Sequence, residues 1–418
     1  MRREKTDTEL LKNGYTVTLG WNDLIWATAI GMLFVTCLEM FYRMIINYHD
    51  KYMSDMHFYV ITNAQEGVEH DRLLGFLFTY FYQINDNIME ANVYMAAVVV
   101  ATVVVNFLFI RFLIKEDGLL DRVPRYAMQF FSLAAMFIGP AFVPVLHEWY
   151  YRKSFSAYAW HSPTQQTMTF LSLIASLCFL KMYMHYDEKG VHPGWWAATA
   201  FMVFMSAFTK PSFFLSMSIT VVVLFLIELL SGGIKGFWGR FIKLFIMGCT
   251  MIPAGLYVLY LQTREFNNAE AALDGEEHRV IFEISHIFEE KPVAGFIFGM
   301  TFAIIVFAAN FKRFKDRKYL FVLGIFLAGV MQWAFITETG KRGNYGNFSW
   351  GKVYGTYFIN LASTALALEN VYNKDSVFKG RKTARIVYLV ILAAALAVSL
   401  LSQLRYFLLI LTGHGYML

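Results

Sequence analysis

Apolar runs of about 20 residues, each long enough to cross a bilayer as a helix, recur along the whole chain. With 57% hydrophobic residues among 418, the chain is more apolar than a soluble fold of this length accommodates. The sequence therefore predicts an all-α, polytopic integral membrane helical bundle. The predicted spans are 24–46, 91–110, 127–146, 166–184, 194–209, 212–230, 243–261, 293–311, 319–337, 351–370 and 386–410.

The predicted orientation follows from lysine and arginine, which are retained in cytoplasmic loops. With the amino terminus inside, the inner segments hold 23 of the 36 Lys and Arg residues and the outer loops hold 11. The prediction is about 11 transmembrane helices, with the amino terminus in and the carboxyl terminus out. Only the Lys210-Pro211 turn separates the fifth and sixth spans. The net charge of +5 reflects this topology, and no nucleic-acid partner is expected.

The sequence indicates one integral membrane domain, residues 1–418, with no separate soluble domain. The first apolar run is too long for the apolar core of a signal peptide, so it is expected to remain in the protein. All three cysteines fall inside predicted spans, which argues against a disulfide framework and against a Cys-x-x-Cys metal pattern. The expected location is the plasma (cytoplasmic) membrane.

Four predicted outer segments are longer and richer in aromatic residues than the short basic inner loops. They are residues 47–90, 147–165, 262–292 and 338–350. Eight of the ten histidines also fall on the predicted outer side. A functional site is therefore expected to face outward.

The first outer segment places acids and histidines directly after the first span. Asp55 is a candidate general base for an acceptor hydroxyl, with Asp50 as the next candidate and His57 as a neighbouring substrate-binding residue. The competing interpretation is an ordinary solvated loop acid. A divalent metal bound by His49, Asp50, Asp55 and His57 is also possible, although their spacing is not specific for any metal.

The second outer segment combines aromatic residues with cations. Arg152 follows Trp149 and Tyr150, and His161 lies between Trp160 and a proline just before the fourth span. Sugar rings stack on aromatic faces and phosphates bind arginine, so Arg152 and His161 are candidate substrate-binding residues. An interfacial aromatic belt is the alternative explanation for Trp and Tyr at span ends.

Cations also occur in two later outer turns. Lys210 lies in the tight turn between the fifth and sixth spans, where a lysine can also simply extend toward the interface. Lys341 and Arg342 lie in a glycine-rich segment that lets the backbone approach a ligand, with Glu338 as a partner for one of them. Because topology disfavours cations on this side, the pair indicates a bound anion.

The loop from Gln262 to Pro292 carries apolar residues at near-helical spacing, including Val280, Ile281 and Ile284. This pattern predicts a short amphipathic helix lying on the membrane. Such a helix either covers the bundle or gates entry of an acceptor.

Taken with this architecture, Ser54-Asp55-Met56-His57 resembles the catalytic region of the GT-C superfamily of membrane glycosyltransferases, which use polyprenyl-phosphate sugar donors. In that superfamily an acidic residue in the first outer loop is the base, and Asp55 occupies the matching position. The resemblance implies that the donor phosphate is held by basic residues of later outer loops, here Arg342, Lys341, Lys210 and Arg152. The chain departs from the pattern in lacking an acidic pair around Asp55 and a large carboxy-terminal soluble domain.

The resemblance implies transfer of a hexosyl or pentosyl group to a glycan, lipid or protein acceptor on the outer face, as in the synthesis of cell envelope polysaccharide. A polyprenyl phosphate is a good leaving group, so one base and a cationic cradle suffice for an inverting single displacement. No cofactor is firmly expected. The alternatives are a polysaccharide polymerase or ligase that uses lipid-linked donors, and a transporter or flippase of lipid-linked sugars.

Overall fold

A computed structural model describes residues 20–47, 54–62, 72–85, 88–142, 160–234, 236–267, 280–284, 292–339, 347–373 and 378–412. Helices dominate these residues. The helices are α1 (Trp21–Ile46), α2 (Asp55–His57), α3 (Leu73–Asn85), α4 (Ile88–Glu116), α5 (Arg125–Ala134), α6 (Pro163–Lys189), α7 (Pro193–Thr209), α8 (Ser212–Ser231), α9 (Phe237–Gly248), α10 (Ile252–Asn267), α11 (Pro292–Gly299), α12 (Thr301–Ala309), α13 (Arg317–Phe335), α14 (Trp350–Tyr372) and α15 (Lys382–Leu411).

Seven helical segments among the described residues are long and apolar enough to cross a membrane. They are Trp21–Ile46, Ile88–Glu116, Pro163–Lys189, Ser212–Ser231, Phe237–Arg264, Arg317–Phe335 and Lys382–Leu411. The remaining predicted spans coincide with shorter or more polar helices: α5, α7, the pair α11 and α12, and α14. The all-α membrane class therefore agrees with the structure.

The prediction of an amphipathic helix across Val280 and Ile281 is wrong. Val280–Phe282 forms strand β1, which pairs antiparallel with strand β2, Ile336–Glu338, directly after α13. β-Branched and aromatic residues suit a strand once a partner strand is present. The remaining parts of that predicted helix, 276–279 and 285–290, lie outside the described residues.

Helix α14 lies at the centre of the bundle, and it is buried continuously from Tyr354 to Asn370. Its closest packing is against α13, where glycines remove the side chains that would hold the helices apart. A Cβ atom on Gly329 would lie 2.5 Å from the carbonyl carbon of Gly351, and one on Gly355 would lie 2.7 Å from Cα of Phe326. Gly351 and Gly355 form the small-xxx-small spacing by which membrane helices approach closely.

Polar contacts between distant parts of the chain group the helix ends into two sets. One set contains the end of α1, Ser54 to Thr62, the start of α6, Lys210 and the start of α14. The sequence predicts that these segments are on the outer side of the membrane, so this set is called the outer end. The other set, called the inner end, is joined by contacts such as Lys318 Nζ to Leu113 O at 2.9 Å and Arg122 to Asn373 at 2.8 Å. These contacts pair segments that the predicted alternation of the spans places on the same side.

The inner end is held by ion pairs between helices. The Asp117 carboxylate contacts both Arg313 and Lys318 at 2.5 Å, and Arg313 also reaches Glu369 at 3.2 Å. Burial opposes ionisation of Asp117, but the hydrogen bond with Glu369 and the two cations outweigh it, so the pKa of Asp117 lies below its ordinary value. Asp117, Glu369, Arg313 and Lys318 are therefore paired with one another.

A second ion cluster at the inner end is centred on Arg317. Its guanidinium contacts Glu228 and Asp187, each at 2.6 Å, and so joins α13 to α8 and α6. Partly buried pairs of this kind fix the relative positions of helices more than they add net stability.

Candidate functional site

The first feature of the outer end is the short helix α2, which is fastened to the start of α6. The Ser54 hydroxyl and the Asp55 backbone N–H both donate to the carbonyl oxygen of His161, at 3.0 and 3.2 Å. The Ser54 oxygen also accepts from Met56 N–H at 3.1 Å, which caps α2. The backbone of Asp55 is therefore fixed against His161, which lies more than 100 residues away in the sequence.

The Asp55 side chain differs from the acids of the inner end. It is half-buried, and its carboxylate makes no hydrogen bond or ion pair with any residue that the structure describes. A carboxylate that is positioned by its backbone but not neutralised keeps its lone pairs available for a substrate proton. This is the arrangement that a general base requires.

His57 lies two residues further on and points back toward α1. Its Nδ1 atom lies 2.7 Å from the carbonyl oxygen of Ile45. Because a carbonyl only accepts, Nδ1 carries the proton in this contact, and it fixes the orientation of the ring. His57 therefore links α2 to the end of the first helix.

Trp350, the first residue of α14, connects two predicted site residues. Its ring centroid lies 5.9 Å from that of His161, and the Nζ atom of Lys210 lies 3.8 Å above its face. The Lys210 contact has the geometry of a cation–π interaction. Through His161, this cluster adjoins the backbone of Asp55.

Glu338 lies on strand β2, close to the residues that lead into α14. Its carboxylate accepts a hydrogen bond of 2.6 Å from the Asn347 side chain. Asn347 begins the single 3₁₀ turn that ends at Ser349, immediately before Trp350. Glu338 thus anchors the segment that presents Trp350 to Lys210.

The structure brings Asp55, His161 and Lys210 into one series of contacts, with Glu338 supporting it through Asn347. The other three predicted cations, Arg152, Lys341 and Arg342, lie outside the described residues, as do His49 and Asp50. Within the described part of the chain, no group of three or more His, Cys, Asp or Glu side chains is arranged to hold a metal ion.

Two parts of this region were missed by sequence reasoning. Lys352 is only 4% exposed, and its Nζ atom lies 3.9 Å above the ring of Trp333. At the start of α6, the side chains of Gln165 and Gln166 are both buried. The sequence did carry a signal for the two glutamines, because consecutive buried amides near the start of a membrane-length helix are costly unless they have partners.

The outer end therefore combines a carboxylate, two lysines, two tryptophan rings and buried amides. A carboxylate accepts a proton, an ammonium stabilises an anion, and tryptophan faces bind sugar rings. No family model matches the chain, and no curated protein matches it.

Proposed function

We propose that the protein is a membrane glycosyltransferase that moves a sugar from a polyprenyl-phosphate donor to an acceptor at the outer face of the membrane. The observation that carries the proposal is the contrast between the two ends of the bundle. The inner-end acids Asp117 and Glu228 are paired with arginine or lysine, whereas the half-buried carboxylate of Asp55 at the outer end has no partner among the described residues. A partly buried carboxylate that is held in place by its backbone and has no ion-pair partner among the described residues is a candidate functional group.

Asp55 is the general base in the proposed reaction. The acceptor hydroxyl gives its proton to the Asp55 carboxylate while its oxygen attacks the anomeric carbon of the donor sugar. The bond between that carbon and the phosphate oxygen breaks, and the polyprenyl phosphate leaves with the electron pair. A single displacement of this kind inverts the configuration at the anomeric carbon.

Lys210 is the described cation best placed to stabilise the departing phosphate. It lies beside Trp350, which contacts His161, and the His161 carbonyl holds the backbone of Asp55. We assign Arg342, Lys341 and Arg152, which the sequence predicts to be on the same side of the membrane, to the rest of the cradle. Charge stabilisation is the main requirement, because the phosphate is already a good leaving group.

The proposal is tested with purified protein in liposomes that contain radiolabelled polyprenyl-phosphate hexoses and pentoses. Short envelope oligosaccharides and glycolipids serve as acceptors. The expected result is labelled acceptor, formed together with an equal amount of free polyprenyl phosphate. The proposal is overturned if the intact lipid-linked sugar crosses the bilayer without losing its sugar, which is the behaviour of a flippase.

A further inference from the structure

The start of α6 carries the densest group of unpartnered polar atoms near the site. Both Nε2 and Oε1 of Gln165 lack a hydrogen-bond partner among the described residues, as does Oε1 of the neighbouring Gln166. The Gln165 side chain is only 1% exposed, so water in the surrounding solvent does not satisfy it. A buried amide without partners has lost its hydrogen bonds to water and gained none in return, which destabilises the folded protein.

The helical repeat shows which way Gln165 faces. Gln165 and Ser172 are seven residues apart, so they point in nearly the same direction from α6. The Ser172 hydroxyl contacts the Ser206 hydroxyl of α7 at 3.3 Å. Gln165 therefore faces α7 as well, two turns nearer to the outer end.

Helix lengths then give the depth of Gln165. It lies about 10 Å outward from Ser172, whereas α7 continues for only three residues, about 5 Å, beyond Ser206. Gln165 is consequently level with the turn that follows α7, which contains Lys210. It also lies on the first turn of α6, four residues after His161, whose ring contacts Trp350.

We propose that Gln165 is a sugar-binding residue whose amide hydrogen-bonds hydroxyl groups of the donor sugar. An amide offers two N–H donors and a carbonyl acceptor, and a pair of sugar hydroxyls matches both. The proposal rests on the proposed function for the identity of the ligand. Because Gln165 is closed off in this structure, the sugar reaches it by displacing the side chains that cover it.

A buried amide without hydrogen-bond partners does not by itself define a ligand-binding site, as Gln403 shows. Its side chain is also 1% exposed and both of its amide atoms lack partners among the described residues. It packs against Gly139, where an added Cβ atom would overlap its Oε1 atom, in the part of the bundle where α5 gives way to extended chain. Gln403 is therefore a matched control for burial and chemistry, because its contact residue Gly139 is not part of the candidate site.

The experiment compares Gln165→Met and Gln403→Met, because methionine keeps the unbranched shape and removes the polar atoms. Both variants are expected to melt at or above the wild-type temperature, since each loses an unpaired buried amide. Gln165→Met alone should raise KM for the polyprenyl-phosphate sugar about three- to tenfold, the effect of losing one or two neutral hydrogen bonds. Its kcat should change little.

Donors that lack single hydroxyl groups identify the contact. For one deoxy position, the wild type should lose affinity while Gln165→Met shows no further loss, as expected when both changes remove the same hydrogen bond. Equal sensitivity of the two proteins to every deoxy donor would overturn the assignment.

Failure of the transferase proposal is recognised separately, by measuring how far the same lipid-linked sugars raise the melting temperature. If the wild type shows no turnover but is stabilised by a lipid-linked sugar, and Gln165→Met is not, the sugar site stands and the catalytic proposal falls. If the wild type transfers sugar and Gln165→Met has an unchanged KM, the transferase proposal stands and the proposed contact between Gln165 and the sugar is wrong.

Discussion

Replacing Gly329 by alanine tests the close packing of α13 against α14, on which the position of Trp350 depends. The added methyl carbon would lie 2.5 Å from the Gly351 carbonyl carbon. Because this clash is with backbone atoms, no change of side-chain rotamer relieves it. The two helices must therefore separate by about 1 Å, and overpacking of this kind costs about 1 to 3 kcal/mol. We take the upper end of that range because the clash is with backbone.

Alanine also improves helix propensity by about 1 kcal/mol over glycine, so the net loss for Gly329→Ala is about 2 kcal/mol. Gly31→Ala on α1 is the matched control, because a Cβ atom added there would have nothing within 4 Å. That variant should be as stable as the wild type or more stable. Thermal unfolding in nanodiscs, followed by tryptophan fluorescence, measures both. Equal melting temperatures for Gly329→Ala and Gly31→Ala would refute the packing argument.

Three further predictions concern topology, donor binding and acid stability. Reporter fusions after Lys318 and after Leu418 should report the inside and the outside of the membrane, respectively. If both reported the same side, the assignment of the outer end would be wrong. Arg342→Ala should weaken binding of a donor analogue in nanodiscs by about 1.5 to 3 kcal/mol and Arg342→Lys by less, because lysine cannot reproduce two parallel hydrogen bonds to phosphate; equal affinities would remove Arg342 from the cradle. Because Asp117 has a depressed pKa in the folded protein, its stabilising contribution is complete above its ordinary value of 3.8 and is lost as the pH falls through the lower folded value. Asp117→Asn should therefore lose less stability than the wild type over that acidic range, and parallel pH profiles of the melting temperature would contradict this.

Hydropathy predicted where the helices lie because the bilayer sets their length. The strand at Val280–Phe282 was missed since its partner, Ile336–Glu338, lies more than 50 residues away, and local spacing carries no information about such pairing. Apolar residues in a short segment fit a helix or a strand equally well until the partner is known.

Only part of the candidate site was predicted, because local sequence does not show which distant residues come into contact. Asp55, His161 and Lys210 were recognisable as polar residues beside span ends, but only the folded chain shows that Trp350 joins two of them. Charge alone groups Lys352 with the outer loop before it, whereas packing of α14 at the bundle centre buries it. Burial of a residue near a helix end depends on which neighbours surround it, and that is a tertiary property.

The most direct test of the account is the rate of sugar transfer by Asp55→Asn under single-turnover conditions with saturating polyprenyl-phosphate sugar. Asp121→Asn is the control, because Asp121 is an exposed acid of the inner-end turn. Both variants should express and melt as the wild type does. The account predicts that Asp55→Asn transfers sugar on the order of a hundredfold or more slowly, through loss of the general base, while Asp121→Asn is unaffected. A near-normal rate for Asp55→Asn would contradict the account.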